Sequence, residues 1–73
     1  MKTAKEMFEE LGFEKINEND NVIQWYFEEE DYEFCFWKDD KEIELPTRTW
    51  FTLSFKELQA INKQVEELGW NNE

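Results

Sequence analysis

Histidine is absent from this 73-residue chain, and Cys35 is its only cysteine. Without histidine, a serine or cysteine nucleophile lacks the base that most often activates it. One cysteine excludes a disulfide within the chain, and a lone thiol is typical of a reducing cytoplasm. Cys35 also stands among aromatic and acidic residues, which should raise its pKa and make the thiol inert. We therefore predict a cytoplasmic protein that is not an enzyme and has no catalytic residue.

Glycine is also scarce, and both glycines, Gly12 and Gly69, stand where helices should end. No glycine-rich phosphate loop is present, and no apolar run approaches the roughly 20 residues of a membrane span. The N-terminus has no apolar run typical of a signal peptide. Acidic residues at 28–31 and 39–40 do not have the spacing of a calcium loop. We predict no cofactor and no metal site, with weak cation binding at these two turns as the alternative.

Basic residues are few: eight Lys and Arg stand against nineteen Asp and Glu, a net charge of −11. Residues 28–44 contain nine acidic residues against Lys38 and Lys41, which gives 2 − 9 = −7 in that stretch. Such a surface repels nucleic acid and anionic lipid, and it attracts basic protein surfaces. We therefore expect a protein partner, with neither direct nucleic-acid binding nor membrane binding. Solubility alone is the alternative reason for the charge.

Two segments have the pattern of capped amphipathic helices. Thr3 and Glu6 fit a capping box, as do Ser54 and Glu57. Each helix should end at a glycine, which tolerates the left-handed conformation found there. The apolar stripe of the first helix is Ala4, Met7, Phe8 and Leu11. The apolar stripe of the second helix is Phe55, Leu58, Ile61, Val65 and Leu68.

Between the helices the apolar period changes to two, which predicts strands. Residues 13–16 and 49–53 are candidates for short additional strands. We predict one α+β domain over residues 1–73, in the order α-β-β-β(-β)-α, with both helices on one face of an antiparallel sheet. The residues expected to face the helices are Ile23, Trp25, Phe27, Tyr32, Phe34, Phe36, Ile43 and Leu45. Those expected on the opposite, open face are Val22, Tyr26, Cys35 and Trp37.

Two segments read Lys-Glu-Met-Phe-Glu-Glu-Leu-Gly-Phe at residues 5–13 and Leu-Gln-Ala-Ile-Asn-Lys-Gln-Val-Glu-Glu-Leu-Gly-Trp at residues 58–70. They resemble small uncharacterised proteins encoded by phages and prophages of Gram-positive bacteria. The resemblance implies an accessory protein of a mobile element that works in the cytoplasm of a bacterial host cell. It implies no activity and no site residue.

The acidic middle of the chain is the candidate binding surface. Alternate residues of a strand lie about 6.6–6.8 Å apart on one face, comparable to successive phosphates of a DNA strand. Glu42 and Glu44 share one face, and Glu28 and Glu30 are expected to share a face of the preceding strand. Exposed aromatic residues would anchor a partner, whereas Trp50 and Trp70 are expected to pack inside. The predicted partner-binding residues are Tyr26, Glu28, Glu30, Trp37, Asp39, Asp40, Glu42 and Glu44.

Three functions remain open from the sequence. The first is an acidic interaction module that binds and inhibits or modulates a host defence or nucleic-acid-processing protein, in its sharpest form as a nucleic-acid mimic. The second is a structural small protein of a mobile element that forms a homodimer or larger oligomer through the open sheet face. The third is a binder of small molecules.

Overall fold

A computed structural model describes residues 1–72 and contains two helices and four strands. The order is helix α1, four strands and helix α2, which confirms the predicted α+β fold. The sheet is an antiparallel meander in which the strands are neighbours in their chain order. The elements are α1 (Ala4–Glu10), β1 (Phe13–Glu18), β2 (Val22–Phe27), β3 (Tyr32–Trp37), β4 (Glu42–Glu44) and α2 (Phe55–Glu67).

Both predicted capping boxes are formed. At α1, the Thr3 side chain accepts from the Glu6 N–H, and the Glu6 carboxylate accepts from the Thr3 N–H. At α2, Ser54 and Glu57 make the same reciprocal pair. Gly12 and Gly69 follow the last helical turns with φ of +99° and +74°. Side chains at the start of each helix thus accept from backbone N–H groups that would otherwise lack partners. At the end of each helix, the glycine N–H donates to a carbonyl of the last turn.

The register of the sheet places the alternating apolar residues on the side that carries the helices. Ile23 pairs with Phe36, Trp25 with Phe34, and Phe27 with Tyr32. The β1–β2 register shifts between Lys15 and Asn17, so that Ile16 is an extra residue in the edge strand. The core cluster combines both helices and three strands through Ala4, Phe8, Phe13, Ile23, Trp25, Phe34, Phe36, Ala60 and Ile61.

The buried stripe of α2 differs from the predicted one. Phe55 and Leu58 were expected in the core, but their exposed fractions are 72% and 40%. Glu57 and Gln64 are buried in their place, beside Ala60 and Ile61. The prediction was wrong because the two polar side chains have partners in the sheet. Tyr32 donates its hydroxyl to Glu57 at 2.5 Å, and the Trp25 indole donates to Gln64 at 3.0 Å.

The segment between β4 and α2 also departs from the prediction. Residues 49–53 form a turn and an irregular stretch, not a strand, and Leu45 lies outside β4 and is half-exposed. Trp50 was expected to pack inside, but 88% of it is exposed. Its neighbour Phe51 packs against the rings of Tyr32 and Phe34 instead. Trp70 does pack on the core, with its ring 6.4 Å from that of Phe36.

Candidate functional site

The open face of the sheet, opposite the helices, is the candidate site. The strand register places Val22, Gln24 and Tyr26 of β2 on this face, since each is out of phase with the core residues of its strand. Four glutamates share the face, and no lysine or arginine is among the strand residues that form it. The face consists of Glu14, Asn17, Val22, Gln24, Tyr26, Glu33, Cys35, Trp37, Glu42 and Glu44.

Neutral donors hold two of these carboxylates in place. The Gln24 amide donates to Glu33 at 2.6 Å, and the Trp37 indole N–H donates to Glu44 at 3.0 Å. A third bond of the same kind joins the Tyr26 hydroxyl to Asp31 at 2.7 Å, at the end of the β2–β3 turn. A neutral donor orients a carboxylate without cancelling its charge. The carboxylates of Glu33, Asp31 and Glu44 therefore present negative charges in fixed positions.

The predicted site residues divide into three groups along the sheet. Tyr26, Trp37, Glu42 and Glu44 all lie on the open face, as the alternation indicates, but Tyr26 is at the opposite end of the strands from Trp37 and Glu42. The turn at 28–31 holds the first acidic pair of the prediction, Glu28 and Glu30. The second pair, Asp39 and Asp40, occupies the turn at 38–41.

The strand placement of Glu28 and Glu30 was therefore wrong, whereas the turn predicted at residues 28–31 is confirmed. β2 ends at Phe27, because the polar run that follows it makes the hairpin turn. In a meander, successive turns lie at opposite ends of the sheet. The two predicted acidic pairs are therefore separated by the length of β3, roughly 20 Å for six residues. The carboxylates of the open face, Glu33, Glu42 and Glu44, occupy the space between these turns.

Sequence reasoning missed Glu33, Gln24 and Glu14 as parts of this face. The alternation in β3 carried the signal for Glu33, since it is in phase with Cys35 and Trp37. No pattern in the sequence indicates the role of Gln24, because a glutamine that orients a carboxylate cannot be distinguished from any other polar strand residue. The aromatic anchors also differ from expectation, because the polar groups of Tyr26 and Trp37 already bind carboxylates of the same chain. What they offer a partner is ring surface, and Trp37 is 39% exposed.

Cys35 lies at the centre of the open face, yet only 5% of it is exposed. Burial raises the pKa of its thiol to about 11, and the negative charges of Glu33 and Glu44 act in the same direction. The predicted upward shift is therefore confirmed. A thiol with this pKa is almost entirely protonated at neutral pH and is a poor nucleophile.

The same shift predicts a loss of stability in alkaline solution. The folded chain keeps the Cys35 thiol protonated up to about pH 11, whereas the unfolded chain loses this proton near its ordinary pKa of 9.0. Unfolding therefore releases a proton across this range, and stability falls as the pH rises. We expect the urea midpoint to fall between pH 9 and pH 11, measured by circular dichroism.

The matched variant is Cys35→Val, which removes this titrating group and should make the decline less steep. It should not abolish the decline, because burial and the bond to Glu57 also raise the pKa of Tyr32 well above its usual range. An equally steep decline in the variant would show that the thiol does not contribute.

Within residues 1–72, no group of three or more acidic or cysteine side chains is arranged to hold a metal ion. In the same range, neither helix has the length and apolar character needed to cross a bilayer. No protein-family model, curated protein or solved structure matches this chain. The case for its function therefore depends on the geometry of the open face.

Proposed function

We propose that the protein is a non-enzymatic interaction module whose open sheet face binds a basic surface of another protein. The supporting observation is a face that no helix covers, with four glutamates and no basic strand residue. The carboxylates of Glu33 and Glu44 are oriented by neutral donors, so that no rearrangement is needed before a cation approaches. Ring surface from Trp37 adjoins Glu44 and supplies apolar contact of the kind that anchors interfaces.

The sharper form of this proposal is nucleic-acid mimicry. Glu42 and Glu44 are alternate residues of β4, about 6.6–6.8 Å apart along the strand. The acidic turn at 28–31 extends the negative charge beyond one end of the strands, whereas Lys38 and Lys41 balance Asp39 and Asp40 in the turn at the other end. A protein groove that binds a phosphate backbone would meet charge of the right sign over roughly 20 Å. In this form the target is a nucleic-acid-binding protein of the host, and the module inhibits or modulates it as a phage accessory factor.

Charge reversal on β4 tests the proposal. We expect the Glu42→Lys/Glu44→Lys variant to lose capture of basic proteins from a bacterial lysate at low salt, because it replaces two of the four glutamates of the face with cations. Wild-type capture should weaken steeply with added salt, since exposed charges are screened within about 10 Å at 0.1 M. Mass spectrometry identifies the captured proteins, and competition by duplex DNA separates mimicry from other basic binding.

The matched control is Glu9→Lys/Glu66→Lys, which changes the net charge equally on the exposed surface of the helices. This variant should still capture the same proteins. Equal loss in both variants would indicate attraction by overall charge, without a defined face. Capture that salt does not affect would overturn the charge-based proposal.

Self-association through the open face is the alternative that the geometry favours less. Two copies packed sheet to sheet would bring the four glutamates of one copy against those of the other, and like charges in contact are destabilising. Light scattering during size-exclusion chromatography distinguishes the two functions. A defined dimer at low salt, where this repulsion is strongest, would favour the structural alternative.

A further inference from the structure

The outer edge of β4 is an unpaired strand edge with chemically different sides. β4 is the last strand of the sheet, so that only β3 pairs with it. Glu42 and Glu44 project on the open face, whereas Ile43 packs against the core on the helix side. These three residues and Trp37 line a surface depression that includes both sides of the strand. An unpaired edge offers backbone donors and acceptors to another extended segment.

The helix side of this edge carries Ile43, which lies opposite Phe36 at the end of the sheet where Trp70 packs. Phe55 and Leu58 lie at the other end of α2, whose first turn bonds to Tyr32. Ile43 is therefore the apolar side chain that this edge offers on the helix side.

We infer that the β4 edge accepts an extended segment of a partner as a fifth strand, with basic and apolar residues in alternation. The inference rests on the proposed function, because it specifies how a basic partner engages the acidic face. Successive side chains of a strand point to opposite faces. The basic residues of the added strand would lie beside Glu42 and Glu44, and its apolar residues on the side of Ile43.

A second copy of the chain is a poor occupant of this edge. Pairing β4 with β4 would bring Glu42 and Glu44 against the same residues of the other copy, and like charges directly opposite are destabilising. At the other edge of the sheet, the extra residue Ile16 interrupts the ladder of β1. Charge complementarity therefore favours a basic segment of a different protein.

Two synthetic heptapeptides of four lysines and three valines test the inference. In one the residues alternate; in the other the lysines precede the valines, so that charge and composition match but the two-faced pattern is lost. Titration of the isotope-labelled protein at low salt, followed by NMR, gives affinities and the residues affected. We expect roughly ten-fold tighter binding of the alternating peptide, as several cross-strand pairs would supply. The largest shifts should fall on backbone amides of Glu42, Ile43 and Glu44.

A variant on the apolar side of the edge supplies the second measurement. Ile43→Ser should weaken binding of the alternating peptide and leave binding of the block peptide unchanged. Ile16→Ser is the matched control, because Ile16 is 48% exposed at the opposite edge of the sheet. It should change neither affinity.

The outcomes separate the two proposals. Equal affinity for both peptides, with shifts centred on Gln24, Tyr26 and Trp37, would overturn strand addition and support the acidic face as a binding surface. Failure of both peptides to bind at low salt would overturn the proposed function and strand addition together. Tighter alternating-peptide binding that Ile16→Ser weakens would place the added strand at β1 and overturn the assignment to β4.

Discussion

Replacing Phe8 with alanine is expected to destabilise the protein by about 3–5 kcal/mol. Phe8 is fully buried on α1 and joins that helix to the sheet. Its ring stacks on Trp25 at 4.8 Å and meets the edge of Phe13 at 5.3 Å. Phe34 and Phe36 complete its surroundings, at 6.3 and 6.2 Å. Truncation would leave a cavity among four rings of the sheet, which rigid aromatic neighbours cannot readily collapse to fill.

The loss is large relative to the whole stability. A 73-residue domain has a free energy of unfolding of about 4–11 kcal/mol. Urea unfolding followed by circular dichroism measures the change, and Phe8→Leu provides a milder variant if Phe8→Ala does not fold. Phe55→Ala is the matched control, since it removes the same ring from an exposed site on α2 and should change stability by less than about 0.5 kcal/mol. Equal losses at the two positions would contradict the packing of α1 on the sheet.

Local chemistry in the sequence is sufficient to predict most of the fold. A capping box acts within four residues, so that Thr3 and Ser54 mark the helix starts without tertiary information. Alternation acts within one strand and separates Trp25 from Tyr26 onto opposite faces. These signals predict the elements, their order and the two faces of the sheet.

Errors arose where a contact joins residues that are far apart in the chain. Apolar periodicity favours Phe55 and Leu58 for the core, whereas the structure buries Glu57 and Gln64. The partner of Gln64 is Trp25, 39 residues earlier, and nothing in the local pattern indicates that pair. Likewise, Trp50 and Phe51 are adjacent aromatic residues, and the sequence does not indicate which of them is buried. Phe51 is the one that packs, because its ring meets Tyr32, 19 residues earlier in the chain.

The candidate site was predictable only where local alternation alone decides the position of a side chain. Period two places Glu42 and Glu44 on the open face and should also have placed Glu33 there. The position of Glu28 and Glu30 depends on where a strand ends and a turn begins, which is the least certain feature of a strand pattern. The bonds that orient the carboxylates depend on diagonal contacts between strands, such as Gln24 with Glu33, and these require the register.

Among substitutions of charged residues, Glu57→Ala is expected to cause the largest loss in the free energy of unfolding. One carboxylate oxygen accepts from the Ser54 N–H at 2.8 Å, and the other accepts from the Tyr32 hydroxyl at 2.5 Å. Only 6% of Glu57 is exposed, so that water cannot readily replace either bond. We expect a loss of about 2–4 kcal/mol in urea unfolding, because bonds to a charged group contribute about 1.5–3 kcal/mol each and are not fully additive.

Glu6→Ala is the matched control, because Glu6 occupies the same capping position in α1 but is exposed and has no partner like Tyr32 among its bonds. Its loss should be clearly smaller than that of Glu57→Ala. A double-mutant cycle with Tyr32→Phe isolates the bond between the helix and the sheet, and a coupling energy of about 1–2 kcal/mol is expected. Zero coupling, with equal losses for the two glutamates, would mean that Glu57 acts only as a helix cap. A positive coupling would show that a buried carboxylate fixes the start of α2 above β3.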